Sequence, residues 1–242
     1  MIQKYLNSLN KNKNVITNFM EGQLWQKKYS KENRMILPLH LFADDFEMGN
    51  ALGSHAGKQK LCGVYIILPF LPPHQAKKLY NIFLVTLFYS KYRKLFGNRA
   101  VFKKVIEEIN FLSEYGIQIN INNKIITVYF ELGLILGDNL GVNGVCGFAE
   151  CFLGNRYCRD CTATGSVCKI MCEVDKNLLR NKQNYLKAIK NLSYSSGIKE
   201  DCCFHDIRNF HITQNKANDL MHNFCEGIIN YTLGKILTVF LK

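Results

Sequence analysis

Apolar positions along the chain gather into a few runs whose spacing predicts the elements. "RMILPLHLFADDF" turns from a continuous apolar stretch, Met35 to Ala43, into acid, as a buried strand does where it leaves the core. "LCGVYIILPF" (61–70) is β-branched and aromatic and predicts a second strand. "PPHQAKKLYNIFLVTLFYSKY" (72–92) begins with proline in a first-turn position and predicts a long buried helix. "RAVFKKVIEEINFLSEYG" gives the clearest helical period. Val101, Phe102, Val105, Ile106, Ile109 and Leu112 share one face, Lys103/Glu107 and Lys104/Glu108 are i,i+4 pairs on the other, and Gly116 follows as a cap. "NKIITVYFELGLILGD" predicts a long strand that stops at Asp138.

Between 146 and 172 large apolar residues thin out and cysteines accumulate, which predicts a loop too poor in core to order itself without a ligand. Residues 176–191 and 215–241 return to helical spacing. Residues 1–34 are polar, basic and Asn-rich, and read as one or two short helices forming an arm ahead of a core over 35–242. The chain stops at "TLGKILTVFLK", inside an apolar helical pattern without a stop signal, so a continuation past Lys242 is expected.

Composition narrows the partners. Lys and Arg number 31 against 19 Asp and Glu, a formal charge of +12, which favours a polyanion such as nucleic acid or an anionic surface over an acidic binding role. The longest apolar run, 82–89, is far shorter than the roughly 18–20 residues a spanning helix needs, and residues 1–19 have no signal-like apolar segment. Without such a signal, the 10 cysteines read as reduced thiols or metal ligands in a nuclear or cytoplasmic protein.

Two kinds of chemistry are legible. Asp44 (with Asp45 as its alternate) and Asp138 each stand where an apolar strand runs out. Strand-end carboxylates that converge can hold a pair of divalent cations, and oxygen ligands select magnesium or manganese. The plainer reading is a turn or N-cap aspartate. Twenty residues past Asp138, "CRDC" places Cys158 and Cys161 at zinc-ligand spacing. Two further ligands are needed. Asp219 and His222, which share a helical face with Glu226 in "NDLMHNFCEG", are the first choice, and Cys168 with Cys172 is the local rival; Cys202, Cys203 and His205 are more distant candidates. "GSHAGKQK" (53–60) mimics a phosphate loop, but Gly53, Gly57 and Lys58 are one residue short of that spacing and no Ser or Thr follows.

With "ADDF" at 43–46, "GDNLG" closing a long strand, CxxC about twenty residues on, and "DLMH" at 219–222, the chain resembles the catalytic core of DDE/D DNA transposases of the CACTA (En/Spm-like) group and its animal relatives. The resemblance covers about residues 36–240. It implies an α/β fold of the RNase H-like kind, a mixed central sheet with flanking helices and a Cys-rich zinc-binding insertion. It also implies two-metal cleavage and strand transfer of DNA phosphodiesters at Asp44 and Asp138, DNA ends and target as partners, and self-association. The family's third acid follows the [C/D]-x-x-H motif. Glu226 is the only acid after His222, so it takes that place unless the third acid lies past Lys242. No DNA-binding zinc finger is legible in residues 1–34. Two other classes fit the same residues: an inactive relic or domesticated interaction protein, and a zinc-stabilised module that binds nucleic acid without chemistry.

Overall fold

A computed structural model describes residues 2–9, 15–48, 60–121, 123–190 and 194–240. The phosphate-loop mimic at 53–59 lies outside them. The centre of the fold is a five-stranded mixed sheet with helices packed around it. Its strands are β1 (Met35–Glu47), β2 (Lys60–Ile67), β3 (Ile82–Tyr89), β4 (Ile117–Ile121) and β5 (Lys124–Leu136), in spatial order β3-β2-β1-β5-β4. β1, β2 and β3 form an antiparallel meander, β5 lies parallel to β1, and β4 folds back antiparallel on β5. A parallel neighbour for β1 requires a crossover, and the predicted helix supplies part of it as α5 (Asn98–Glu114).

The central strands β1 and β5 explain their near-continuous apolar runs, because both faces of each are covered. Leu41, Ala43, Leu132 and Ile135 join Phe102, Val105, Ile106 and Ile109 of α5 in the main core, and a smaller cluster gathers Leu37, Phe70, Leu71 and Val128. Lys104 pairs with Glu108 at 2.8 Å on the outer face of α5, and Gly116 just past its end takes the left-handed φ of 67°. The N-terminal arm, α1 (Ile2–Leu9) and α2 (Gln23–Tyr29), lies against the sheet. Trp25 is buried, the Phe19 ring meets His40 edge-on at 4.7 Å, and Asn18 Nδ2 donates to the Pro69 carbonyl at 2.6 Å.

One element differs in kind from the prediction. The expected helix over 72–92 is a single turn, α3 (Pro73–Ala76), then edge strand β3, then α4 (Lys91–Phe96). The proline starts a turn, but Ile82 to Tyr89 is β-branched and aromatic, and pairing with β2 outweighs helical propensity there. It is also not buried: Phe83, Leu84 and Leu87 are exposed on the sheet edge. The short strand β4 has no counterpart in the predicted elements.

The Cys-rich segment is ordered by two arginines rather than by apolar burial alone. Arg159 donates to Asn139 Oδ1 at 2.9 Å and to the Ala217 carbonyl at 3.2 Å; Arg180 donates to the Cys158 carbonyl at 3.0 Å and the Ser196 carbonyl at 2.7 Å. Cys146 and Phe148 belong to the core. α6 (Asn139–Val145) precedes the segment, α7 (Gly165–Ile170) lies within it, and α8 (Lys182–Lys190) follows it. The C-terminal helix is π-wound over Met221–Ile229 and continues as α9 (Asn230–Phe240).

Candidate active site

The parallel register of β1 and β5 ends on the pair Phe42 and Leu136. Asp44 and Asp138 each stand two residues beyond that pair; β5 has ended by Asp138, whereas β1 does not run out at Asp44 as its sequence suggests but stays paired with β2, Asp44 opposite Gly63, as far as Glu47. Gly137 makes the approach of β5 to β1 possible. A Cβ at that position would stand 2.4 Å from the Ala43 carbonyl oxygen, and one at Gly141 would stand 2.7 Å from Asp138 Oδ1. The small residues around Asp138 are thus the ones that let β5 and α6 close against β1.

Strand alternation separates the two candidate first acids. Asp45 turns to the other side, where Ser90 Oγ and Arg93 donate to its carboxylate at 2.9 Å each. Asp44 instead lines a cavity of about 720 Å³ together with Asp138, Asp219 and His222. Burial and then the charge of Asp138 hold the Asp44 carboxyl above its ordinary range, with His222 opposing. The plain reading of Asp138 is also present: it is the N-cap of α6 and accepts from Gly141 N–H. Capping occupies one carboxylate oxygen.

Asp219 sits at the start of the C-terminal helix, where its Oδ1 accepts from the N–H groups of Met221 (3.0 Å) and His222 (3.2 Å) and its Oδ2 meets His222 Nδ1. That carboxylate holds His222 above the usual imidazole value. Burial opposes, but bonding to His222 wins and holds Asp219 below the usual carboxylate value. Glu226 follows one turn on, with Oε2 3.9 Å from His222 Nε2. The predicted face of Asp219, His222 and Glu226 is formed, and two of its three residues line the cavity of Asp44 and Asp138.

The four residues expected to share one zinc are not gathered. Among the described residues no three His, Cys, Asp or Glu side chains stand close enough together to hold a metal ion. Cys158 and Cys161 are neighbours, and the N–H of Asp160 donates to Cys158 Sγ at 3.3 Å. Cys168 lies with them around Tyr157, whose phenol is pushed up by burial and by these three sulfurs. Asp219 and His222 are spent on each other across a separate cavity. Cys172 and Cys225 are exposed, and Cys202 and Cys203 are buried in the core. His205 stacks on His211 at 4.2 Å, and its Nδ1 meets Asp201 at 2.9 Å. The residues sequence reasoning missed are Arg93 and Arg159. Each reads in sequence as one more surface cation, and only the fold shows Arg159 buried and the Arg93 side chain mostly enclosed.

Divalent magnesium is a different case, because it binds through one or two carboxylates plus water and substrate phosphates. Two acids lining one cavity, whose described lining holds no Lys or Arg, suit it. The chain matches no protein-family model, and no curated protein matches it. No helix among the described residues is long and apolar enough to cross a membrane.

Proposed function

We propose that this chain is an RNase H-like catalytic core of the DDE/D transposase type, cutting and joining DNA phosphodiesters at the cleft of Asp44 and Asp138. The observation that carries the reading is the pair of acids just past the last paired residues of two adjacent parallel strands, lining one cavity, with the charge of Asp138 raising the Asp44 carboxyl. The order of elements supports it: a three-stranded meander, a crossover that includes a helix, and a parallel strand beside the first.

In this reading Asp44 and Asp138 hold magnesium or manganese, which supplies activation of the attacking oxygen and neutralises the leaving one. Asp138 is fixed by its cap on α6, and the Asp44 carboxylate accepts from the Asp45 N–H. Asp219 locks the imidazole of His222 at the rim, and Glu226 takes the place of the third acid one helical turn away. Cys158 and Cys161 alone keep zinc-ligand spacing in the loop, and the described residues bring no further ligands to them. DNA as partner, self-association on paired ends and a nuclear place of action come with the reading, and the +12 charge supports the first.

The test is nicking of supercoiled plasmid by the full-length protein in manganese, compared with Asp138→Asn, which keeps the cap. Loss of nicking in the variant with an unchanged melting temperature is expected. Equal nicking by both proteins overturns the proposal.

A further inference from the structure

Beside the carboxylate cleft lies a second cavity of about 410 Å³. Asn218 lines both cavities, and Asn139, which lines the second, follows Asp138 directly in the chain. Arg159 also lines it, although only 5% of that residue is exposed. Among the described residues no carboxylate lies within ion-pair distance of this guanidinium. Its partners are neutral oxygens, of Asn139 at 2.9 Å, Asn143 at 3.4 Å and Ala217 at 3.2 Å, and its Nε has no partner. A buried cation without counter-charge is expensive, and here its field reaches a cavity.

The donor pattern follows from hydrogen-bond logic. Arginine only donates, so the oxygen of Asn139 must face it. Asn139 Nδ2 then donates to Asn223 Oδ1 at 2.6 Å. That leaves the amide N–H groups of Asn223 as the free end of a relay polarised by Arg159. Asn218 lines the same space with no partner for its amide among the described residues. Cys158 and Asp160 also line it, the Asp160 carboxylate being paired with Lys216 at 2.6 Å, and one side of the wall is aromatic: Phe152 and Tyr157 meet edge-to-face at 6.1 Å, and Phe152 is 46% exposed. Donor groups beside an aromatic wall match the carbonyl oxygens, ring nitrogens and π-face of a nucleobase. An isolated phosphate would leave the aromatic wall without a role.

We propose that this cavity holds one unpaired nucleotide of the strand being processed, its base against Phe152 and Tyr157 and its acceptor atoms on Asn223 and Asn218. The inference rests on the proposed function only in taking the substrate to be a nucleic acid. Its place beside Asp138 would hold the strand next to the reacting phosphodiester.

The test is fluorescence anisotropy in EDTA with a labelled single-stranded decamer and an abasic decamer of the same length. The full-length protein should bind the base-bearing strand about tenfold more tightly, the scale of one stacked base. Phe152→Ala and Asn223→Leu should remove that preference while leaving affinity for the abasic strand unchanged. Equal affinity for the two strands, or a preference kept in Phe152→Ala, overturns the proposal; Phe152 is exposed enough for that variant to decide the matter should Asn223→Leu fail to fold. Because no cation is present, base preference without manganese-dependent nicking would sink the cleavage reading alone, and nicking without base preference would sink this one alone.

Discussion

The backbone of Gly137 lies against the carbonyl of Ala43 so closely that a single added Cβ would stand 2.4 Å from the oxygen. Its φ of 153° is also one that L side chains rarely adopt. This contact brings the end of β5 against β1 and sets the spacing of Asp138 from Asp44. Gly137→Ala is therefore expected to cost roughly 1–3 kcal/mol of stability. On the proposed reading it also lowers nicking by about 10²-fold, the scale of a 1 Å misplacement. Chemical denaturation and the plasmid assay read the two effects; an alanine variant as stable as the wild type would show that the strands can part without cost.

Asp138 and Asp44 are electrostatically linked, and the sign of the link is fixed. The charge of Asp138 raises the Asp44 carboxyl, so Asp138→Asn should move the Asp44 titration downward toward the ordinary carboxylate range. NMR titration of the Asp44 carboxyl carbon would follow it. An unmoved titration would mean the two side chains do not share the cleft.

Asp45 gives the control. Its carboxylate is taken by Arg93 and Ser90 on the opposite side of the strand. Asp45→Asn should leave cation-dependent nicking within about threefold of wild type, while Arg93, whose side chain is mostly buried, loses its closest anion and the fold loses roughly 1–3 kcal/mol. Complete loss of nicking with normal stability would exchange the roles of the two aspartates.

Acid should destabilise the fold through His40. Burial lowers this imidazole to about 4, and its Nε2 has no hydrogen-bond partner among the described residues. A depressed histidine contributes stability that is complete above its unfolded value near 6.5 and is lost as pH falls through that value toward about 4. The drop should reach about 3 kcal/mol. His40→Leu should flatten that part of the curve of unfolding free energy against pH, and an unchanged slope would place the acid sensitivity elsewhere, for instance in His211, which burial also lowers to about 4.

For the thiols, any zinc the purified protein carries is expected to be lost in Cys158→Ser and kept in His222→Ala, because His222 faces Asp219 and Glu226 rather than the cysteines. Atomic absorption on the three proteins decides it. Zinc lost in both variants would restore the long-range clamp between the loop and the C-terminal helix, and none in the wild type would remove zinc altogether.

The sequence by itself determined the parts whose physics is local. The period of 99–116 makes α5 whatever surrounds it, since its apolar face and its cap are written within five turns. The apolar runs ending at Asp44 and Asp138 declare buried strands because only a strand covered on both faces can be so continuous. Even the face shared by Asp219, His222 and Glu226 follows from helical spacing. Tertiary structure alone decided the rest. Pairing with β2 made an edge strand of 82–89 against a helix-like start, because ladder hydrogen bonds depend on a partner outside the window. Alternation puts Asp44 and Asp45 on opposite faces of β1, but only the fold shows that the Asp44 side opens to Asp138 and the Asp45 side to Arg93. The separation of Cys158 and Cys161 from Asp219 and His222 was also settled in three dimensions, where Asp219 is consumed by its own helix start. So was the burial of Arg159, for no spacing along the chain tells which of 31 cations will be enclosed without a counter-charge.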